Sequence, residues 1–190
     1  MKLLESALDR SKELHESRIM GKRLLIIGAG GHGKVVKEIA MSMQIDEERV
    51  YTDVSFLDDM AEEAIGKIDD LETLGAQFDE IFVAIGDNEI RKILFDKVES
   101  IGGYIPKLVH PTAYVSPTAI IEKGCIVEPK ALINANTIVK RGCIISIGAI
   151  IDHNALLEEF CHVNAGAICC AGSIVDSGRK TMAGEIVKGY

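Results

Sequence analysis

Every sixth residue from position 115 gives Val115, Ile121, Val127, Ile133, Val139, Ile145, Ile151, Leu157, Val163, Cys169 and Val175. Ten of these eleven are branched aliphatics. Four residues after each, from Ala119 to Ser173, every side chain is small: Ala, Cys, Thr or Ser. Two registered columns of that length predict short parallel strands joined by tight corners, three hexapeptides to a coil. The aliphatic residue fills the prism and the small one sits where the backbone turns. This is a left-handed parallel β-helix, an exception to the usual right-handed crossover. The hexads stop near Val175, which predicts a β-helix over 108–178 of about three and a half coils and an irregular tail over 179–190.

Eighteen residues then make one coil, and stacked coils lie about 4.8 Å apart. Cys125, Cys143 and Cys161 are spaced by eighteen and stack in one interior column as small fillers. Lys140 with Glu158, and Arg141 with Glu159, have the same spacing and predict ladder charge pairs. The residue preceding each interior aliphatic must face outward, because side chains alternate along a strand. That column reads Tyr114, Ile120, Ile126, Leu132, Ile138, Ile144, Ile150, Leu156, His162, Ile168 and Ile174. So much outward apolar surface predicts a subunit interface, with His162 at or beside a cleft between subunits.

His153 interrupts another column, between Ala135 in the coil below and Ala171 in the coil above. Small neighbours leave its imidazole room and access. Imidazole titrates near neutrality, so His153 is a candidate base for an attacking amine or hydroxyl, with Asp152 or a neighbouring polar group holding its tautomer. A metal site is the competing use of the histidines. The nine-residue spacing of His153 and His162, and the distance to His110, disfavour it.

Before residue 108 the pattern is different. An apolar strand, RLLII, runs into the glycine turn GAGGHG at 28–33 and then a helix. Further strands are predicted near VYTDVSFLDD and EIFVAIG, with a helix over DNEIRKILFDKVESIGG. Strand alternating with helix predicts a parallel sheet, with room for about four strands over 23–107. This Rossmann-like half-domain carries GxGxxG between strand and helix, which suits a phosphate at a helix N-terminus. Asp53 stands where a dehydrogenase would place its ribose-binding acid, but no hydride-transfer domain follows. A nucleotide-linked substrate fits better than a redox cofactor. Residues 1–22 read as a polar helical extension with Leu3, Leu4, Ala7, Leu8 and Leu14 on a loose apolar stripe.

Composition narrows the picture. A net charge of −8 disfavours nucleic acid and anionic lipid as partners. No apolar run is long enough for a membrane span, and the charged N-terminus lacks a signal peptide's apolar region. Five cysteines without a CxxC pair suit a reducing compartment, so the cytoplasm is expected.

The motifs GAGGHG (28–33), FLDD (56–59), FVAIGDNEIR (82–91), LVHPTAYVSPTAII (108–121) and IIDHNALLEEFCHVNAGA (150–167) resemble, in that order, the NeuD/PglD-type sugar acetyltransferases. That group includes sialic acid O-acetyltransferases and UDP-4-amino-sugar N-acetyltransferases. The resemblance implies a nucleotide-sugar domain followed by a homotrimeric β-helix that uses acetyl-CoA as co-substrate, without a metal. It implies a UDP-amino sugar or sialic-acid-like acceptor in surface glycan synthesis. Carried over by position, His153 matches the catalytic base and His162 the histidine near the thioester. Ala171 and Gly172 fall in the acetyl-CoA site. Gly30, Gly31 and His32 would hold phosphates, Asp58 and Asp59 the uridine end, and Gly86 the pocket floor. Where the family has an acid after the catalytic histidine, this chain has Asn154, leaving Asp152 as the nearest carboxylate. In the tail, Arg179, Lys180 and Lys188 are candidates for the CoA phosphates. The early end of the hexads also raises a non-catalytic alternative, a nucleotide-sugar-binding scaffold trimer that has lost CoA. Transfer to a small amino acid, as in serine acetyltransferases, is disfavoured by the glycine turn.

Overall fold

The computed structural model describes residues 21–190. The helix expected over 1–22 lies outside them except for its last two residues, and Lys22 already belongs to the first strand. A parallel sheet of order β4-β1-β5 is built from β1 (Lys22–Ile27), β4 (Tyr51–Leu57) and β5 (Glu80–Val83). It has three strands where the sequence predicts about four. The residues between its first two members instead form helix α1 (Gly31–Ser42) and an antiparallel pair, β2 (Gln44–Ile45) with β3 (Glu48–Arg49). Two further helices follow, the short α2 (Leu71–Gly75) and α3 (Asn88–Ser100).

The hexads form a parallel β-helix of three sheets. Its two-residue strands run from β6 (Leu108–Val109) to β18 (Ile186–Val187), each paired with the strand eighteen residues away. The interior column and the three stacked cysteines form one buried core. Both predicted charge ladders exist, Lys140–Glu158 at 2.7 Å and Arg141–Glu159 at 3.1 Å.

The tail is not irregular. Lys180 bridges to His162, and Ile186–Val187 pairs with Ile168–Cys169, so the coils continue past Val175 to Val187. The continuation is masked in the sequence because Lys180 takes an outward strand position and Thr181 an interior one. Thr181 remains compatible with burial because its hydroxyl accepts the backbone N–H of Asn164 at 2.8 Å.

A third periodic column lies at the corners. Residues 124, 130, 136, 142, 148, 154, 160, 166, 172, 178 and 184 all have φ between 56° and 71°. Most are glycine, which reaches this left-handed region without steric cost. Asn136 and Asn154 tolerate it through their short polar side chains. Phe160, at φ 56°, is the expensive member.

The outward apolar column is not one interface. On the sheet holding Leu108, Ile126, Ile144 and His162, the chain's own N-terminal domain buries all four residues. The aliphatic three pack among Val36, Ile39, Phe56 and Phe82. The other two sheets stay open, with Tyr114, Ile120, Ile138, Ile150, Ile174 and Ile186 exposed.

Candidate active site

Helix α3 joins the two domains by lying along one corner of the prism. Residues 124, 142, 160 and 178 stack there at eighteen-residue intervals, and α3 meets them in reverse chain order. Asn88 donates its side-chain N–H to the Gly178 carbonyl at 2.7 Å. Arg91 donates through Nε to Gly142 O at 2.9 Å and through Nη2 to Phe160 O at 2.9 Å. The Phe95 ring occupies the space a Cβ on Gly124 would need. It also meets Phe160 edge to face, with centroids 5.2 Å apart. Arg141 lies over both rings. This packing offsets the backbone cost of Phe160.

The glycine turn forms as the sequence suggests. Gly33 packs so tightly on the Gly28 carbonyl that a Cβ would lie 2.0 Å from that oxygen. Gly30, Gly31 and Gly86 differ: a Cβ on any of them would meet nothing within 4 Å. They border open space. Gly30 is the N-cap of α1 and supplies no side-chain cap, and the first turn holds no acid. The helix therefore offers N–H groups and the positive end of its dipole to an anion.

Asp58 braces this turn. One oxygen accepts the Ala29 N–H at 2.8 Å, and the other accepts from Met60 and Ala61 at 2.8 and 2.9 Å. These bonds, led by Ala29, hold its carboxyl below the usual range. Asp59 accepts the Ile68 N–H at 3.0 Å. Asp53 lies far down β4, opposite Arg23 at the other end of the strand from the turn, so the dehydrogenase placement fails on geometry.

Two histidines meet the seam between domains. His32 places Nδ1 3.7 Å from Glu128, and its Nε2 is buried without a protein partner. His162 bonds Ser146 Oγ through Nε2 at 3.0 Å, leaving Nδ1 buried without a partner. The outward column predicts His162 at or beside a cleft between subunits; within one chain its sheet is the one its own N-terminal domain covers, leaving it 8% exposed. Burial, then the charges of Lys180 and Arg91, lowers its pKa to about 4. His32 is also lowered to about 4, by burial first and then by Arg91 and Lys180. Glu128 is raised by desolvation. Both imidazoles are therefore neutral at physiological pH.

His153 lies elsewhere, exposed at the corner between Ile150–Ile151 and Leu156–Leu157. A single chain does not bring it to His162, which is on the far sheet. Asp152 does not hold its ring. The carboxylate accepts the His153 backbone N–H at 2.7 Å and the Asn134 side-chain N–H at 3.0 Å. These bonds depress the Asp152 pKa and fix the loop. The ring partner is Asn154, whose amide lies 3.2 Å from Nδ1 and 3.1 Å from the Tyr190 hydroxyl. Asn154 donates its side-chain N–H to the Tyr190 hydroxyl and turns the same nitrogen toward Nδ1 of His153. Ala171 and Gly172 stack on this corner. Gly172 N–H donates to the His153 carbonyl at 3.0 Å, and the Tyr190 ring fills the place of a Gly172 side chain.

In the tail, Arg179 pairs with Glu185, and Lys180 stands above His162 beside Gly86 and the start of α3. Sequence reasoning missed Arg91, Glu128 and Ser146 at the seam. Arg91 closes the motif FVAIGDNEIR, while Glu128 and Ser146 follow interior aliphatics by one residue and stand eighteen apart in one column, the spacing that could have singled them out.

Residues 23–98 match the PglD N-terminal domain model. The acetyltransferase domain of PglB from Neisseria gonorrhoeae, solved in complex with acetyl coenzyme A, is 34% identical with a TM-score of 0.82. The match covers 87% of this chain and 82% of that one. This chain belongs to the PglD-type family of hexapeptide-repeat sugar acetyltransferases. PerB from Caulobacter crescentus, solved with CoA and GDP-perosamine, is 27% identical with a TM-score of 0.65. That match covers 87% of this chain and 91% of PerB. A histidine-to-alanine mutant of GDP-perosamine N-acetyltransferase from the same organism is similar at 26%, with a TM-score of 0.66 over 87% and 90% of the two chains. Among the described residues no helix is long and apolar enough to cross a membrane.

Proposed function

We propose that this chain is an acetyl-CoA-dependent acetyltransferase that acylates the amino group of a nucleotide-linked sugar for glycan synthesis. The observation that carries the reading is an open, uncapped glycine turn in a chain that also presents His153 on an exposed corner, in the fold of the PglB domain. The turn holds the sugar nucleotide's diphosphate, with Gly30, Gly31 and His32 along it, Asp58 and Asp59 at the uridine end and Gly86 beneath.

Because His153 lies far from that turn within one chain, the working site is completed between subunits. The two uncovered apolar sheets supply the contacts of a homotrimer. There His153 of one subunit faces the nucleotide domain of its neighbour. Ala171 keeps the position one coil above His153 small, the Tyr190 ring covers Gly172, and His162 lies buried at the seam.

In the reaction the acceptor amine attacks the thioester carbonyl carbon and passes a proton to the imidazole of His153. Backbone N–H groups stabilise the oxyanion, the C–S bond breaks, and the proton passes on to the CoA sulfur. Asn154 orients the imidazole; Asp152 holds the loop. The scaffold alternative rested on an early end of the β-helix, and the strand Ile186–Val187 removes that ground. The deciding assay measures release of the CoA thiol with UDP- and GDP-linked amino sugars as acceptors and His153→Ala as control. Release that depends on acceptor and on His153 supports the reading; no release and no calorimetric binding of acetyl-CoA overturns it.

A further inference from the structure

Among the described residues Arg91 is the largest fully buried side chain, 1% exposed. Among the described residues no carboxylate oxygen lies within ion-pair distance of it. Its acceptors are neutral oxygens in three places. Two are the carbonyls of Gly142 and Phe160, on successive coils of the β-helix. A third is the Asn88 side chain, 2.7 Å away in its own helix. The fourth is the Ile85 carbonyl at 3.0 Å, in the segment leading to Gly86.

A guanidinium in this geometry ties the Gly86 segment, α3 and two coils to one rigid fork. Burying a charge without a counter-charge is costly. The arrangement therefore calls for an account beyond domain packing, which Phe95 and Phe160 already provide. The charge also acts on its surroundings: Arg91 and Lys180 both lower the pKa of His32 and His162. Both histidines thus sense a positive field at the seam where Gly86 borders open space.

We infer that Arg91 is a positioning residue for the substrate pocket: its fork sets the Gly86 segment against the β-helix and leaves an uncompensated positive charge behind it, facing the anionic part of the incoming nucleotide sugar. Resting on the proposed function, this identifies the chemistry served, a nucleoside diphosphate. Arg91 touches no reacting atom. It works through the Ile85 carbonyl and through its field, which a low-dielectric seam screens poorly.

The test compares Arg91→Met, Arg91→Lys and Phe95→Ala as full chains. Steady-state kinetics are measured with acetyl-CoA and the acceptor found active. Calorimetric titrations with UDP and with GDP provide a readout independent of turnover. Arg91→Met is expected to raise KM for the nucleotide sugar and the nucleotide Kd by about tenfold, within the range for residues that act on a site without touching the ligand. KM for acetyl-CoA should stay unchanged. Arg91→Lys keeps the charge without the fork and should recover part of the loss; if Arg91→Met does not fold, the Lys variant carries the comparison with wild type. Phe95→Ala loosens the same helix and should lower thermal stability without splitting the two KM values.

Equal KM and Kd in the folded variants and wild type would overturn the inference, as would a Phe95→Ala shift as large as that of Arg91→Met. If the wild type binds UDP or GDP but transfers no acetyl group, the functional reading fails while the nucleotide Kd still decides Arg91. Binding of neither nucleotide by the wild type would sink the inference itself.

Discussion

The ring of Phe95 stands at 89° to the ring of Phe160, edge against face, across the boundary between the α/β domain and the β-helix. Phe160 holds a left-handed corner conformation to make that contact, and Gly142, one coil below, lacks the side chain that would block it. The domains are thus packed together through an aromatic pair as well as connected by the chain between Ser100 and Leu108.

Replacing Phe95 with Ala should cost roughly 3–5 kcal/mol of stability, the range for a buried Phe→Ala cavity. Equilibrium denaturation checks it. A midpoint equal to that of wild type would show that the seam does not contribute to global stability.

His153→Ala should lower kcat by roughly two to four orders of magnitude, the usual contribution of a general base. The side chain is exposed, so the melting temperature should be unaffected. A variant retaining full turnover would move the base elsewhere.

Asn154 calls for two substitutions. Asn154→Gly keeps the left-handed corner at φ 58° and removes only the amide, so its effect on kcat reports ring orientation. Asn154→Asp puts a carboxylate beside the imidazole, and the acid limb of the pH–rate profile should move to higher pH. An unmoved limb would mean that Asn154 does not contact the working imidazole.

Acid should weaken the fold in a defined window. His32 and His162 are lowered to about 4 in the folded chain, against 6.5 when unfolded. Between those values the unfolded chain binds more protons, so stability is full above about pH 6.5 and declines as pH falls toward 4. His162→Gln should reduce the steepness of that decline in denaturation midpoints across the window. An identical slope in the variant would place His162 outside the linkage.

The uncovered sheets predict an assembly that a single charge can break. Ile120→Glu or Ile174→Glu places a carboxylate on an exposed apolar strand without touching the prism interior. Light scattering should show smaller species, and activity should fall with it if His153 works across subunits. An unchanged mass would show that these exposed strands do not form the contacts of the proposed trimer.

The prism was legible because its interior column is uniform: each of Ile121 to Val175 answers the same packing demand. The glycine turn was legible for a similar reason, since Gly28 and Gly33 meet a steric requirement that only glycine satisfies. The covering of His162 was not. All three sheets repeat the same outward aliphatics, and only docking of a separate domain makes Ile126 and Ile144 buried while Ile120 and Ile138 stay exposed. The end of the helix was misread because Lys180 and Thr181 keep the backbone register while abandoning the hydrophobic code. Arg91 was hidden because an arginine on a helix ordinarily faces water, and two of its acceptors are carbonyls more than fifty residues away in sequence.

The march of α3 along the corner turns part of the solenoid into a ruler. Removing eighteen residues between Gly124 and Gly178 would preserve every hexad and every strand pair. It would nonetheless leave Asn88, Arg91 and Phe95 facing the wrong coils. Repeat proteins usually gain and lose units freely, because each unit contacts only its neighbours. Here one helix counts the coils beneath it, so variation in length is confined to the part of the prism beyond Gly178.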